Sequence, residues 1–537
     1  MPTAPLLTNG VQPKARILVI DNREQVRRDV KRGLESRGYQ VIVVEGEGER
    51  LHKNAMDLAC EFRPHVAIVD LRLEDDGDTS DTSGLILLGK LRKKSQGLGM
   101  IAYSAYLTPT VDRKIAELAA EWVEKSDEPR VLKEMVDKLA AQSCASNRPF
   151  TVTWPKEWEK ADAVLKVFDE ELPSSLLDDV IAQLFEHGKR VWIHEIEEIA
   201  QSSSPPVSRG RSLVIKVQQQ GSVTKKIVKI STPKRVRDEA KHYQRFIHER
   251  LPGQFYTRLE ASRTFWDVGA SVYTLLGDDE ITSLRTLRNF YAAEHDVQRL
   301  LAPIRFWQKI WMRAHAVKRH RKSLSLAEQY EELLNLQNNL QRIRKAPRPA
   351  VLAAFALLDP LLWWEERGSA YATRPGVRQV IHGDFHADNL FTDGERAWLV
   401  DFERTGYGPI YADFCELEID VLTRLLPASV PIEEFVRLAT ALADVSANTT
   451  PAGLSDEARK AMAFVRGLRA LAFASTHPVQ AVAYQWGLLC DALFVMGMRP
   501  SLHNVKEQSA QQARAWLYAS ILCPCIEATQ KLEAVRL

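Results

Sequence analysis

Between Ala15 and Ala141, short apolar runs alternate with amphipathic stretches. The alternation predicts strands at Arg16–Ile20, Gln40–Val44, His65–Asp70, Gly99–Ser104 and Ala120–Lys125, with helices at Glu24–Arg37, Glu49–Phe62 and Pro129–Ala141. Apolar strands separated by helices argue for a doubly wound parallel sheet. In such a sheet ligands gather at the carboxyl ends of the strands. Those ends carry Asp21, Asn22, Asp70, Ser104 and Lys125. Ala141 to Pro155 is small and polar with two prolines, which marks a boundary. Two helices are expected next, near Pro155–Glu171 and Pro173–His187, as a signalling connector or a dimer surface. Ser174 and Ser175 open the second, with Asp178 and Asp179 placed to favour its dipole.

Period-two alternation then takes over at Val191–Ile199, Ser212–Val217 and Lys226–Ile230, the last two joined by a turn at Gln220–Ser222. A helix is expected at Arg235–His248, followed by strands at Thr257–Trp266 and Ala270–Leu276. From residue 281 onward helical spacing dominates, except in Val377–Arg404 (VRQVIHGDFHADNLFTDGERAWLVDFER). There Gln379–Ile381, Asn389–Phe391 and Ala397–Val400 read as strands, the last two meeting at the turn Asp393–Gly394. The pattern divides the chain at residues 13–142, 143–190, 191–280 and 281–537.

Composition narrows the class. The chain has 537 residues, 45% apolar and 26% charged, which suits a globular protein of several units. A net charge of +2 supplies no bulk field for nucleic acid or an anionic membrane. The basic run Lys318–Lys322 and the cations between Gln341 and Arg348 read as solvated helix faces. No apolar leader follows Met1, and the longest greasy stretch, Ala350–Leu358, is too short to span a bilayer. Six cysteines without ligand or disulfide spacing argue against structural zinc and for a cytoplasmic protein with reduced thiols.

The hairpin at Asn389–Val400 brings the candidate chemistry together. It carries Asn389 into one end and Asp401 out of the other, with Asp384 just before it. A carboxylate to accept a hydroxyl proton, plus an amide and a carboxylate to hold Mg²⁺ against phosphates, is what phosphoryl transfer from a nucleotide requires. HGDFHADN followed by DFE resembles the catalytic and metal-binding loops of the aminoglycoside phosphotransferase and choline kinase group, which share the two-lobed fold of protein kinases. The resemblance implies that Asp384 is the general base and that Asn389 and Asp401 are Mg²⁺ ligands. It also implies that Lys229, in the strand pattern Ile-Val-Lys-Ile, contacts the ATP phosphates and is held by Glu239. Asp413 resembles the residue that braces the catalytic loop, and Tyr273–Gly277 is where adenine contacts should fall. The loop Gln201–Ser212 has a single glycine, a departure from the family's phosphate loops.

The N-terminal stretch resembles the receiver domain of response regulators. The resemblance makes Asp70 the phosphoacceptor and Asp21 and Asn22 the Mg²⁺ site beside it. Ser104 and Lys125 become the phosphoryl contacts, and Trp122 the aromatic switch position. Two departures stand out. Asn22 replaces an acid, and the loop from Asp70 to Gly84 is long and acidic (Glu74, Asp75, Asp76, Asp78, Asp81), either restoring the missing charge or lying in solvent. The expectation is a multi-domain α/β plus α+β protein: a CheY-like receiver followed by a two-lobed kinase-like domain with a large helical C-lobe. Its partners would be a histidine kinase or small phosphodonor and an unknown phosphoryl acceptor, with a second copy of the chain a further candidate. The alternative is a pseudokinase scaffold that binds nucleotide or a protein and transfers nothing.

Overall fold

The computed structural model describes residues 14–46, 48–75, 77–78, 80–105, 107–154, 172–173, 175–185, 190–194, 213–222, 225–274, 284–315, 324–368, 376–445, 448–474, 480–498 and 505–536. They form two compact units. One comprises residues up to 238 together with 259–275; the other comprises 239–258 and everything from 276.

The first unit opens with strands β1 (Arg16–Ile20), β2 (Gln40–Val43), β3 (Val66–Val69), β4 (Gly99–Ser104) and β5 (Glu121–Glu124). They pair in the order β2-β1-β3-β4-β5, all parallel. Parallel strands need crossovers, supplied by α1 (Glu24–Glu35), α2 (Gly48–Phe62), α3 (Ser83–Lys94) and α4 (Pro109–Glu117). Helix α5 (Pro129–Ser143) closes the layer. Alternate side chains reach opposite faces. Leu18, Ile20, Ala67 and Val69 join one buried cluster, while Ile17, Val19, Val66 and Ile68 join another with Leu132 and Val136 of α5. Covering both faces is what makes these strands almost wholly apolar.

A second sheet follows in the same unit. It contains β6 (Thr151–Thr153), β7 (Arg190–His194), β8 (Leu213–Gln219), β9 (Lys225–Ser231), β10 (Leu259–Phe265) and β11 (Val268–Thr274), in the order β10-β11-β9-β8-β7-β6. Strand β6 lies in the stretch expected as linker; it pairs parallel to β7, and the other neighbours are antiparallel. Helix α6 (Ser175–Leu184) buries Leu176, Val180 and Ile181 in the same apolar cluster as Leu18, Ile215, Phe265 and Ala270. Its apolar face is therefore covered within the chain. The expected helix over 155–171, the loop 201–212 and residues 275–277 lie outside the described residues.

The parallel sheet and the second sheet meet through polar bonds as well as this core. The His65 Nε2 nitrogen lies 2.9 Å from Asp179 Oδ2, and its Nδ1 accepts the Arg16 N–H at 2.9 Å. The second bond fixes the proton on Nε2, so His65 donates to Asp179. Asp178 and Asp179 thus serve tertiary partners, Trp154 and His65, beyond the expected helix dipole. Trp266, at the β10–β11 turn, donates its indole N–H to the Pro64 carbonyl at 2.8 Å. Arg63 pairs with Asp267 at 2.7 Å.

The second unit begins within the helix α7 (Pro233–His242), which continues as a π-helical turn, Tyr243–Ile247. Its short strands are β12 (Arg285–Thr286), β13 (Arg378–Ile381), β14 (Leu390–Thr392), β15 (Ala397–Leu399) and β16 (Gly406–Pro409). They make two small sheets, β12-β14-β15 and β13-β16. The rest is helical: α8 (Leu287–Ala293), α9 (Val297–His315), α10 (Leu326–Leu334), α11 (Leu336–Lys345), α12 (Ala350–Ala354) and α13 (Pro360–Trp363) precede β13. After β16 come α14 (Ala412–Asp420), α15 (Ile432–Ala443), α16 (Asp456–Ala474), α17 (Ala481–Met496) and α18 (Val505–Arg536). Among the described residues no helix is long and apolar enough to cross a membrane.

Candidate functional site

Each unit carries a cluster at the place where its strands end. In the first unit Asp21 follows β1, Asp70 follows β3 and Lys125 follows β5, so the parallel sheet delivers all three to one edge. The Lys125 Nζ atom lies 2.7 Å from Asp21 Oδ2 and 2.6 Å from Asp70 Oδ2. Asp21 and Asp70 are both buried. Burial, reinforced by Asp21, pushes the Asp70 carboxyl above its ordinary value, although Lys125 opposes the shift. Burial also works against the Lys125 charge, but the two carboxylates prevail and raise its pKa. Ser104 is buried at the end of β4, and its carbonyl accepts the Lys125 N–H at 3.1 Å. Asn22 is half-buried, and its Oδ1 is a buried oxygen with no hydrogen-bond donor. That orphaned oxygen, next in the chain to Asp21, and the two carboxylates form a hard donor set that fits Mg²⁺. Trp122 is half-buried on β5.

The long loop after Asp70 holds itself together. Asp81 Oδ2 accepts the N–H groups of Glu74 and Asp75 at 3.0 and 3.1 Å, and Oδ1 accepts that of Ser83 at 2.8 Å. Asp75 accepts the Gly77 N–H, and Asp78 that of Ser80. These carboxylates serve their own loop's backbone, and Glu74, Asp75 and Asp78 are exposed, as the solvated-loop reading has it. Asp76 lies outside the described residues.

In the second unit the loop after β13 turns at Gly383, whose φ is +79°. A Cβ there would lie 2.6 Å from the Arg404 carbonyl oxygen, so the position demands glycine twice over. Asp413, buried at the start of α14, accepts the His382 N–H at 2.9 Å and the Gly383 N–H at 2.8 Å. Burial raises its carboxyl pKa, partly offset by His382 and these two bonds. The Phe385 N–H goes to Glu416 and the Ala387 N–H to Asp420, so three acids pin the loop's backbone.

Asp384 is brought directly to Asn389, whose Nδ2 donates to the Asp384 carbonyl at 2.9 Å and to its Oδ2 at 3.0 Å. The amide nitrogen is thereby committed, leaving Oδ1 as the oxygen to face a cation. The β14–β15 hairpin pairs Leu390 with Leu399, and the Val400 N–H bonds the Asn389 carbonyl at 3.2 Å. Asp401 therefore follows directly after the residue opposite Asn389. It holds a φ of +64°, a left-handed conformation that costs a non-glycine residue roughly 1–2 kcal/mol. Such strain is characteristic of functional positions. An amide oxygen and a carboxylate here fit a hard divalent ion.

Glu239 is buried in the second unit, and its carboxylate lies within 4.8 Å of those of Asp401 and Glu403. Lys229 is buried on β9, opposite Ser271 of β11, and belongs to the first unit.

Sequence reasoning missed a cation beside the candidate base. Arg404 Nη1 lies 3.2 Å from Asp384 Oδ1, and its guanidinium sits 5.1 Å from the Phe494 ring centroid. Burial opposes the Arg404 charge, but Asp384, Glu416, Glu403 and Asp401 more than offset it. Its place after Asp-Phe-Glu was visible in the sequence; its partner was not, because the loop's path decides it.

The N-terminal sheet is parallel in the order 2-1-3-4-5, and the Asp21–Lys125–Asp70 cluster lies at the carboxyl ends of its strands. Solved structures similar to this region include the Vibrio cholerae chemotaxis protein CheY4, 19% identical, covering 24% of this chain and 98% of that chain with a TM-score of 0.20. A CheY-like response regulator receiver domain protein from Methanospirillum hungatei JF-1 is 23% identical over 24% of this chain and 94% of its own, with a TM-score of 0.20. A response regulator from Thermotoga maritima is 19% identical over 24% and 98%, with a TM-score of 0.21. Residues 317–494 match the family model for ternary complex associated domain 9. No curated protein matches the chain.

Proposed function

We propose that the chain is a two-component-type signalling protein whose receiver controls an ATP- and Mg²⁺-dependent phosphotransferase-like output. The observation that carries the reading is the Lys125 ammonium held between the Asp21 and Asp70 carboxylates. An Asp70 oxygen attacks the phosphorus of a histidine kinase's phosphohistidine or of a small phosphodonor. The donor's bond to phosphorus breaks, and the leaving group (acetate, from acetyl phosphate) departs with the electron pair. Mg²⁺ held by Asp21, Asp70 and Asn22 would neutralise charge at the phosphoryl oxygens, and Lys125 adds a fixed cation that strengthens as charge develops. Acetyl phosphate should add a phosphoryl group to the wild-type protein and none to Asp70→Ala, as read by intact mass; equal labelling would remove the receiver reading.

For the output, Asp384 would accept the proton of a substrate hydroxyl. Asn389 and Asp401 would hold Mg²⁺, and Lys229 with Glu239 would serve the ATP phosphates. The Asn389–Asp384 bond and the Asp413 brace support this part. A second reading, a pseudokinase scaffold in a cytoplasmic assembly, is favoured by the Arg404–Asp384 ion pair. The guanidinium engages Asp384 Oδ1, one of the two oxygens that would accept a proton. The match to a family named for a ternary complex supports a role among protein partners. ATP consumption with Mg²⁺ separates the two: the enzyme reading expects activity lost in Asp384→Ala, and equal background rates leave the scaffold.

A further inference from the structure

Helix α3 begins against the Asp70 backbone and ends against the second sheet. At its start the Gly84 N–H bonds the Leu71 carbonyl at 3.0 Å, and a Cβ on Gly84 would lie 1.9 Å from the Asp70 carbonyl oxygen. No slack separates the helix from the phosphoacceptor strand. Leu85, Leu87, Leu88 and Leu91 bury one face of the helix in the core.

At its far end Ser95, wholly buried, accepts the Trp266 N–H on Oγ at 3.2 Å. The Gly97 N–H bonds the Thr264 carbonyl at 2.8 Å. Both partners belong to the tip of the β10–β11 hairpin. Trp266 itself is 1% exposed and holds a φ of +51°, a left-handed conformation unusual for so bulky a side chain. Such a residue keeps that conformation only while its surroundings enforce it. Beyond the tip, β11 pairs with β9, placing Ser271 opposite Lys229.

We infer that α3 carries the state of Asp70 to the β10–β11 hairpin, with Trp266 as the element that switches. This rests on the receiver reading above. A phosphoryl group on Asp70 needs room for three further oxygens. Gly84 passes the displacement to α3, whose far end draws Ser95 and Gly97 off the hairpin tip. Trp266 then relaxes from its left-handed conformation, and β11 shifts against the strand that bears Lys229. The described connector helix, α6, holds His65 at the opposite end of β3 and acts as the fixed anchor.

The test is amide hydrogen exchange on the full chain, with and without beryllium fluoride and Mg²⁺ as a stable mimic of the phosphoryl group. The Trp266 and Gly97 amides should exchange about tenfold faster when the mimic is bound, while Val41–Val43 on the far edge of the parallel sheet stay unchanged. By reciprocity, Ser95→Ala, which loosens the tip, should bind the mimic about threefold more tightly. Acetyl phosphate labelling read by mass runs alongside. Labelling of Asp70 with unchanged exchange at Trp266 and Gly97, or unaltered mimic affinity in Ser95→Ala, overturns the inference alone. No labelling overturns the receiver reading and this inference with it.

Discussion

Asp491 is a carboxylate only 4% exposed, and its Oδ2 has no hydrogen-bond donor. It lies on α17 three residues before Phe494, which faces Arg404. Burial pushes its carboxyl well above the ordinary value; Arg404 opposes the shift and Asp413 adds to it. A folded pKa above the unfolded one means that the native state is favoured most below the ordinary carboxyl pKa and loses that advantage as pH rises toward the folded value. Asp491→Asn should therefore be more stable than wild type at neutral pH, with the gap closing as pH falls toward 4. Urea unfolding of both proteins at several pH values checks the sign. Gly383→Ala should cost at least about 1 kcal/mol through its left-handed backbone alone, and the clash with the Arg404 carbonyl adds to that. The two residues differ in how far the sequence exposes them. Gly383 sits inside a readable motif. Asp491 sits in a stretch that reads as an apolar helix face, and its isolation from donors emerges only when α14, α17 and the loop at Arg404 have packed.

At the scale of elements, the hairpin and its loop were legible because their chemistry is local. The short strands, the turn at Asp393 and the spacing of Asn389 from Asp401 all lie within one segment. The Asp413 brace lies about thirty residues on, and only the resemblance pointed to it. Glu418, the least visible element-scale feature, is wholly buried on α14 and takes a bidentate pair from Arg469 of α16. It also accepts the hydroxyls of Tyr484 at 2.9 Å and Tyr518 at 3.0 Å, on α17 and α18. One carboxylate thus ties four helices together. Removing only the cation strands a buried charge, so Arg469→Ala should lower stability by about 3–5 kcal/mol. The double variant Glu418→Leu with Arg469→Met should recover part of the loss. Denaturant midpoints of the single and double variants give the comparison.

For the whole molecule, the expected breaks at residues 142 and 190 fall inside a shared core. The apolar pattern correctly located most strands on either side, but a pattern along the chain does not say which faces meet. Leu18 and Ala67 of the parallel sheet share a buried cluster with Ile215 and Ala270 of the second sheet and Val180 of α6. The consequence for stability is that these two sheets should lose exchange protection in one step as denaturant rises. Separate opening of β1–β5 and β7–β11, followed by residue-resolved exchange, would contradict it.

The hairpin tip held at Pro64 and Ser95 also bears on how such a chain can be recombined. The parallel sheet with its helices looks like a cassette to be exchanged whole, but its surface is not self-contained. Here the recipient surface is split between the cassette and the second sheet: residues 63–65 and 95–97 on one side, and Thr264, Trp266 and Asp267 on the other. A chimera that imports a foreign parallel-sheet layer ending near residue 147 would leave Trp266 without its socket. Only an exchange that carries both sides of the joint, more than a hundred residues apart in the chain, would preserve it.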